Sequence, residues 1–270
     1  MKNTSTNYLN NVIKALLWPI IFVVGQFLIL IVFTFIFNAT LNMSESKLNE
    51  YMETAEYHTK LNNFLIDYKL LITIIGVAIF LPIFLKLFKK YKNKENIKIK
   101  NLDTLLLIIL GITICFIFNI GLFYLNKAFK VMSFLVYDFD IHLLIAIICT
   151  GIIGPILEEF LFRGIVYNHL KTFEEPKTAM ILGSLIFALV HTNYVNMVYA
   201  FLIGLVLIFV YEKYKTLKAP IILHIAANTT NILFLRLIVT GNIYVNGILL
   251  IVMIIGFIYA FSKVKKSFNY

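Results

Sequence analysis

Charged residues are scarce in this chain of 270 residues, at 14%, and acidic ones are scarcer still, with 14 Asp and Glu against 24 Lys and Arg. Cysteine occurs only at Cys115 and Cys149, each inside an apolar stretch. That excludes a disulfide framework and a cysteine metal knuckle, and both read as small buried apolar groups. There is no repeat of 20–50 residues and no low-complexity linker. Nothing is left from which to build a soluble domain, so the net charge of +10 does not imply a nucleic-acid partner. No H-E-x-x-H run occurs either, which excludes the two-histidine helix of the common zinc proteases.

What is present is apolar. Hydrophobic residues make up 60% of the chain and the mean hydropathy is +0.88, values of an integral membrane protein rather than a soluble one. A hydrocarbon core of about 30 Å needs ~20 apolar residues per helix. Apolar runs occur at about 12–37, 69–88, 104–125, 141–170, 177–194, 196–211, 219–239 and 243–262. The expected fold is therefore all-α and polytopic, with about eight transmembrane helices, the fifth and sixth being short. The first run is longer than a signal-peptide core and no small-residue cleavage site follows it, so it is expected to stay as an anchor.

Lysine marks orientation, because cationic loops stay on the cytoplasmic side. Seven lysines from Lys86 to Lys100 crowd the second loop, whereas the first carries Glu45, Glu50, Glu53, Glu56 and Asp67. The later inside positions hold Lys171 and Lys177, then Lys213, Lys215 and Lys218, then Lys263, Lys265 and Lys266; the outside ones hold Lys127 and Lys130. The expectation is a multi-pass protein of the cell membrane with both termini cytoplasmic, its basic loops against anionic lipid.

Against this background the run 141–170 is anomalous, because it contains Glu158, Glu159 and Arg163. A charge near the bilayer centre costs roughly 2.5–3.5 kcal/mol even on lenient scales, so such groups face protein or a wet cavity and mark function. Residues four apart share a helix face. Glu159 and Arg163 are thus expected to pair, while Glu158, rotated about 100° away, is free for chemistry. Pro155 after Gly154 removes a backbone hydrogen bond just before them and is expected to kink the helix and admit water.

Two further helices carry polar residues at i,i+4: Phe187 and His191 on the fifth, His224 and Asn228 on the seventh. Alone, an intramembrane His or Asn is a helix-packing group; with Glu158 the set reads as one site from three helices. His58, His142 and His169 lie near span ends and read as interfacial. Gly183-Ser184 reads as close helix packing, not as a serine nucleophile. The chain divides at about residue 130 into helices 1–3 (1–130), expected to hold no buried charge, and a catalytic membrane domain (131–270).

The runs Glu158-Glu159-x-x-x-Arg163, Phe187-x-x-x-His191 and His224-x-x-x-Asn228 together resemble the three motifs of the CPBP family, the CAAX proteases and bacteriocin-processing enzymes also called Abi. The resemblance covers residues 140–235 and implies peptide-bond hydrolysis in the membrane, on a membrane-associated protein or peptide. It also implies a context of CAAX processing, bacteriocin maturation or self-immunity. Carried over by motif, Glu158 with His191 would activate water, and His224 with Asn228 would stabilise the oxyanion. A carboxylate shielded from bulk water suits a general base, and N–H donors aimed at an oxyanion suit Asn and His. A Zn²⁺ site of Glu158, His191 and His224, for which the family is also called metalloprotease, remains open beside this metal-free scheme. A membrane scaffold that keeps the fold without proteolysis is the competing function; a proton-coupled transporter lacks the expected inverted repeats.

Overall fold

The computed structural model describes residues 2–91, 98–129, 143–191, 194–237 and 243–266. Lys92, Lys94, Lys130 and His142 lie outside the described residues, as does the side chain of Lys127. Every regular element described is helical: α1 Lys2–Thr40, α2 Glu45–Met52, α3 Ala55–Asp67, α4 Lys69–Lys89, α5 Asn101–Phe129, α6 Leu143–Leu170, α7 Pro176–Leu189, α8 Tyr194–Tyr214, α9 Lys218–Leu237 and α10 Ile243–Lys266.

The protein is an all-α polytopic membrane protein. Among the described residues, six helices (α1, α4, α5, α6, α8 and α10) are long and apolar enough to cross a bilayer, against the eight expected. The two remaining runs are helical as well. At 14 residues, α7 rises only about 21 Å, short of a 30 Å core. α9 is 20 residues long and carries His224, Asn228, Thr229, Thr230 and Asn231 among its apolar residues. The first loop is itself helical. It folds into α2 and α3, the latter capped by Thr54, whose Oγ1 accepts from the Tyr57 amide at 3.2 Å. On its exposed face Lys60 pairs with Glu56 at 2.8 Å and holds that carboxyl below its usual range.

Burial sorts the helices into layers. Only 11% of the apolar window of α4 and of α10 is buried in the protein, and 17% of that of α1, so these present most of their surface to lipid. α5 is half buried and is the axis against which both α9 and α10 pack. Small residues set the closest approaches. A Cβ on Gly111 of α5 would lie 2.4 Å from the Leu223 carbonyl oxygen and 2.8 Å from the Ala226 Cβ, so only glycine lets α9 sit this near. Between α7 and α8 the approach is made by Gly204 against Ser184. Ser184 is fully buried and its hydroxyl donates to the Met180 carbonyl at 2.8 Å, a packing role.

The expectation that helices 1–3 hold no buried charge is corrected by Asp103 on α5. Only 9% exposed, it accepts from the Lys100 amide at 3.1 Å and from the Tyr214 hydroxyl at 3.0 Å. It caps the start of α5 and ties it to α8, which a residue near a helix N-terminus is well placed to do.

Candidate active site

α6 is not a uniform helix. Ile147–Ile153 and Glu159–Tyr167 are wound as π-helix, separated by the α-helical turn Gly154–Glu158. The Gly154 amide donates five residues back, to the Cys149 carbonyl. Pro155, which has no amide to donate, falls at the start of the α-helical turn, where its loss is tolerated. Wider winding of this kind is rare and concentrates at functional sites. Here it leaves the Thr150 carbonyl to accept from Asn228 Nδ2 of α9 at 3.3 Å.

Glu159 is fully buried and takes part in two short contacts through one oxygen. Arg163 Nη1 donates to Oε1 at 2.7 Å, and His224 Nδ1 lies 2.7 Å from the same atom. An ionised carboxylate only accepts, so His224 carries its proton on Nδ1 and turns Nε2 away. That nitrogen lies 3.7 Å from Glu158 Oε2. The four side chains thus form one series across α6 and α9: Arg163, Glu159, His224, Glu158. Burying the Arg163–Glu159 pair costs desolvation that their attraction only partly offsets, and the surplus is rigid placement of the imidazole.

Phe187 on α7 is the apolar hub of the cluster. The Arg163 guanidinium lies 4.3 Å from its ring centroid, and the rings of Phe162, His191 and His224 meet it edge-on at 4.9, 5.1 and 5.8 Å. Such cation–π and edge contacts are strongest where water is excluded. His191, half-buried, has Nδ1 3.0 Å from the Phe187 carbonyl. A carbonyl can only accept, so this nitrogen carries the proton and Nε2 of the neutral ring holds the free lone pair.

All six motif residues therefore lie on α6, on α9 or just past the end of α7; five are linked by direct contacts or through Phe187, and Asn228 is tied instead to the Thr150 carbonyl of α6. Within that group the partners differ from the expectation. It is His224 that approaches Glu158; His191 makes no direct polar contact with that carboxylate. Asn228 spends its donor on the α6 backbone. Glu159, read from sequence as a partner for Arg163 alone, also orients His224, a contact across 65 positions that helix periodicity cannot reveal. Among the described residues no three His, Cys, Asp or Glu side chains gather so as to hold a metal ion. Glu158, His191 and His224 are not gathered as such a set, although the Glu159 contact on Nδ1 leaves His224 Nε2 available as a ligand atom.

Glu158 keeps 27% of its side chain exposed. It lines a cleft of about 190 Å³ between α1, α4 and α6, whose other walls include Phe22, Gln26, Ile72, Thr73 and Leu157. The cleft joins the two halves of the chain: the carboxylate comes from one and most of the facing wall from the other.

Residues 140–230 match the family profile described as Rce1-like, type II CAAX prenyl endopeptidase. This segment carries all six motif residues. Over residues 140–230 the chain is similar to this family of CAAX-type membrane proteases. Two relatives agree with this likeness: YdiL of Bacillus subtilis, named a membrane peptidase, is 34% identical over 83 residues, or 31% of this chain and 34% of its own length. MroQ of Staphylococcus aureus, named a membrane-embedded CAAX protease, is 32% identical over 96 residues, or 33% of this chain and 39% of its own. The chain thus spans little more than a third of the length of these curated relatives. No solved structure matches it. The matched segment accounts for α6 to α9, and α1 and α4, which wall the cleft, lie outside it.

Proposed function

We propose that this protein is an intramembrane endopeptidase that hydrolyses a peptide bond in a membrane-associated protein or peptide precursor. It acts in the cell membrane with both termini in the cytoplasm, in the service of peptide maturation or self-immunity. The observation that supports this reading best is the series Arg163–Glu159–His224–Glu158 ending at a cleft.

In this scheme Glu158, the exposed end of the series, removes a proton from water entering the cleft. His191, whose Nε2 lone pair is directed away from its own helix, accepts or relays that proton. As water attacks the scissile carbonyl, negative charge grows on the carbonyl oxygen. His224 donates to that oxygen from Nε2 when its ring carries both protons, with Glu159 balancing the added charge. Arg163 in turn pairs with Glu159 at 2.7 Å in a dry setting. Asn228 contributes its amide once it exchanges the Thr150 carbonyl, a long 3.3 Å contact, for the oxyanion. Preorganised donors of this type contribute about 2.7–4 kcal/mol each in soluble hydrolases. The leaving amine takes the proton back from the Glu158–His191 pair, which closes the cycle.

The test is reconstitution of purified protein in liposomes with a panel of membrane-resident peptides, comparing wild type with Glu158→Ala and His191→Ala. Cleavage by wild type that both substitutions abolish is the expected result. Cleavage that persists in Glu158→Ala removes the proposed base, and unchanged biological activity of that variant points to a scaffold instead.

A further inference from the structure

α1 carries one feature that neither packing nor topology explains. Gln26 interrupts the apolar sequence Val23-Val24-Gly25-Gln26-Phe27-Leu28 within the span Asn7–Thr40. Its side chain is exposed and has no hydrogen-bond partner among the described residues. Its direction is fixed by the neighbouring glycine: a Cβ on Gly25 would lie 2.3 Å from Phe80 Cζ, so α1 and α4 touch there and the helix cannot roll. Gln26 is thereby set at the edge of the cleft that Glu158 lines.

A carboxamide set between the apolar walls of the cleft needs partners for both its N–H and its C=O, and whatever enters the cleft, water or a bound chain, must supply them. The other uncharged polar group on the wall, the Thr73 hydroxyl, already donates to the Lys69 carbonyl at 2.8 Å. Acyl chains offer neither donor nor acceptor. A helical peptide has none to spare, because its backbone groups are paired internally. An extended peptide offers both on every residue. We propose that Gln26 binds a backbone amide of an extended, membrane-resident peptide segment and so holds the substrate chain in line with Glu158. This rests on the endopeptidase reading and names the form in which that site takes its substrate: an unwound apolar segment entering between α1 and α4.

The probe is a biotinylated synthetic peptide with an apolar segment and a polar tail, in phosphatidylglycerol liposomes. Gln26→Leu is expected to raise KM roughly 3–10-fold, the effect of one hydrogen bond, while kcat stays within about twofold. N-methylation of the peptide bonds is expected to erase the difference between Gln26→Leu and wild type. A benzoylphenylalanine placed at position 26 in the Glu158→Ala background is expected to form an adduct with the peptide, and one placed at Leu28, which faces lipid, is not. An unchanged KM, an adduct with lipid alone, or equal adducts at both positions overturns the inference. If wild type cleaves but position 26 captures no peptide, the endopeptidase reading stands and this inference falls. If position 26 captures the peptide but wild type never cleaves it, peptide binding at Gln26 stands and the endopeptidase reading falls.

Discussion

His224 grips Glu159 through Nδ1 at 2.7 Å and presents Nε2 to Glu158 at 3.7 Å, so two adjacent glutamates of one helix lie on opposite sides of a single imidazole. Adjacent residues on an α-helix normally face directions about 100° apart. The ring spans that angle because α9 is drawn close to α6, where Gly151 leaves room for Thr229 at 3.0 Å from its would-be Cβ.

Glu159→Gln is expected to lower stability by about 3–5 kcal/mol, because it leaves Arg163 buried without a counter-charge. The thermal unfolding midpoint in detergent checks this. The double variant Glu159→Gln with Arg163→Met is expected to recover most of that stability and none of the hydrolytic activity, since His224 has lost its anchor in both.

His224→Gln preserves volume and some donor capacity but not a second proton. The expected loss is about 10²–10³-fold in kcat, the scale of removing one oxyanion donor, with the circular dichroism spectrum unchanged. Full activity in this variant would show that the ring has no part in the reaction.

Phe187→Leu removes edge contacts to His191 and His224 and the face offered to Arg163. With each contact contributing about 0.5–1.5 kcal/mol, the variant is expected to unfold at lower temperature and to turn over more slowly, as both rings gain rotational freedom.

Gly111→Ala places a methyl group against the Leu223 carbonyl oxygen, next to His224 in the chain. Overpacking of this kind costs about 1–3 kcal/mol, and the displaced α9 carries the imidazole with it. Gly247→Ala on α10 meets nothing within 4 Å and is expected to be neutral or slightly stabilising. Melting curves of the two variants side by side separate crowding from the general effect of losing glycine.

Because Glu158, His191 and His224 are not placed as a ligand set, dialysis against 1,10-phenanthroline is expected to leave the cleavage rate within about twofold. Inactivation that added Zn²⁺ reverses would show that these side chains regroup around an ion during turnover.

The helical architecture was legible in the hydropathy pattern because ~20 apolar residues admit few alternatives to a spanning helix. The Glu159–Arg163 pair was legible too, since both partners sit on one element at i,i+4 and form the contact at 2.7 Å. Contacts between elements were not. Nothing in the spacing of Glu159 and His224 indicates that they touch, nor does the motif hint that Asn228 reaches the α6 backbone. The π-helical winding was hidden as well, because hydropathy averages over windows longer than the one-residue shift that defines it. Gln26 was passed over, because its meaning depends on the cleft, which exists only once α1, α4 and α6 are packed. The short α7 was overestimated because apolar residues run on past Leu189, where the helix in fact ends.

The two wide coils of α6 have a consequence for tolerance to length change. A π-helical turn takes up one residue more than an α-helical one, so excising one residue from Ile147–Ile153 would let that stretch tighten to ordinary pitch and leave Glu158 and Arg163 facing much as they do now. The same excision within the α-helical turn Gly154–Glu158 has no such slack, and would swing the side chains after it by roughly 100° about the axis relative to those before it. The wide coil therefore acts as a spare link: a one-residue loss is absorbed where the helix is π-wound and misaligns the site where it is not.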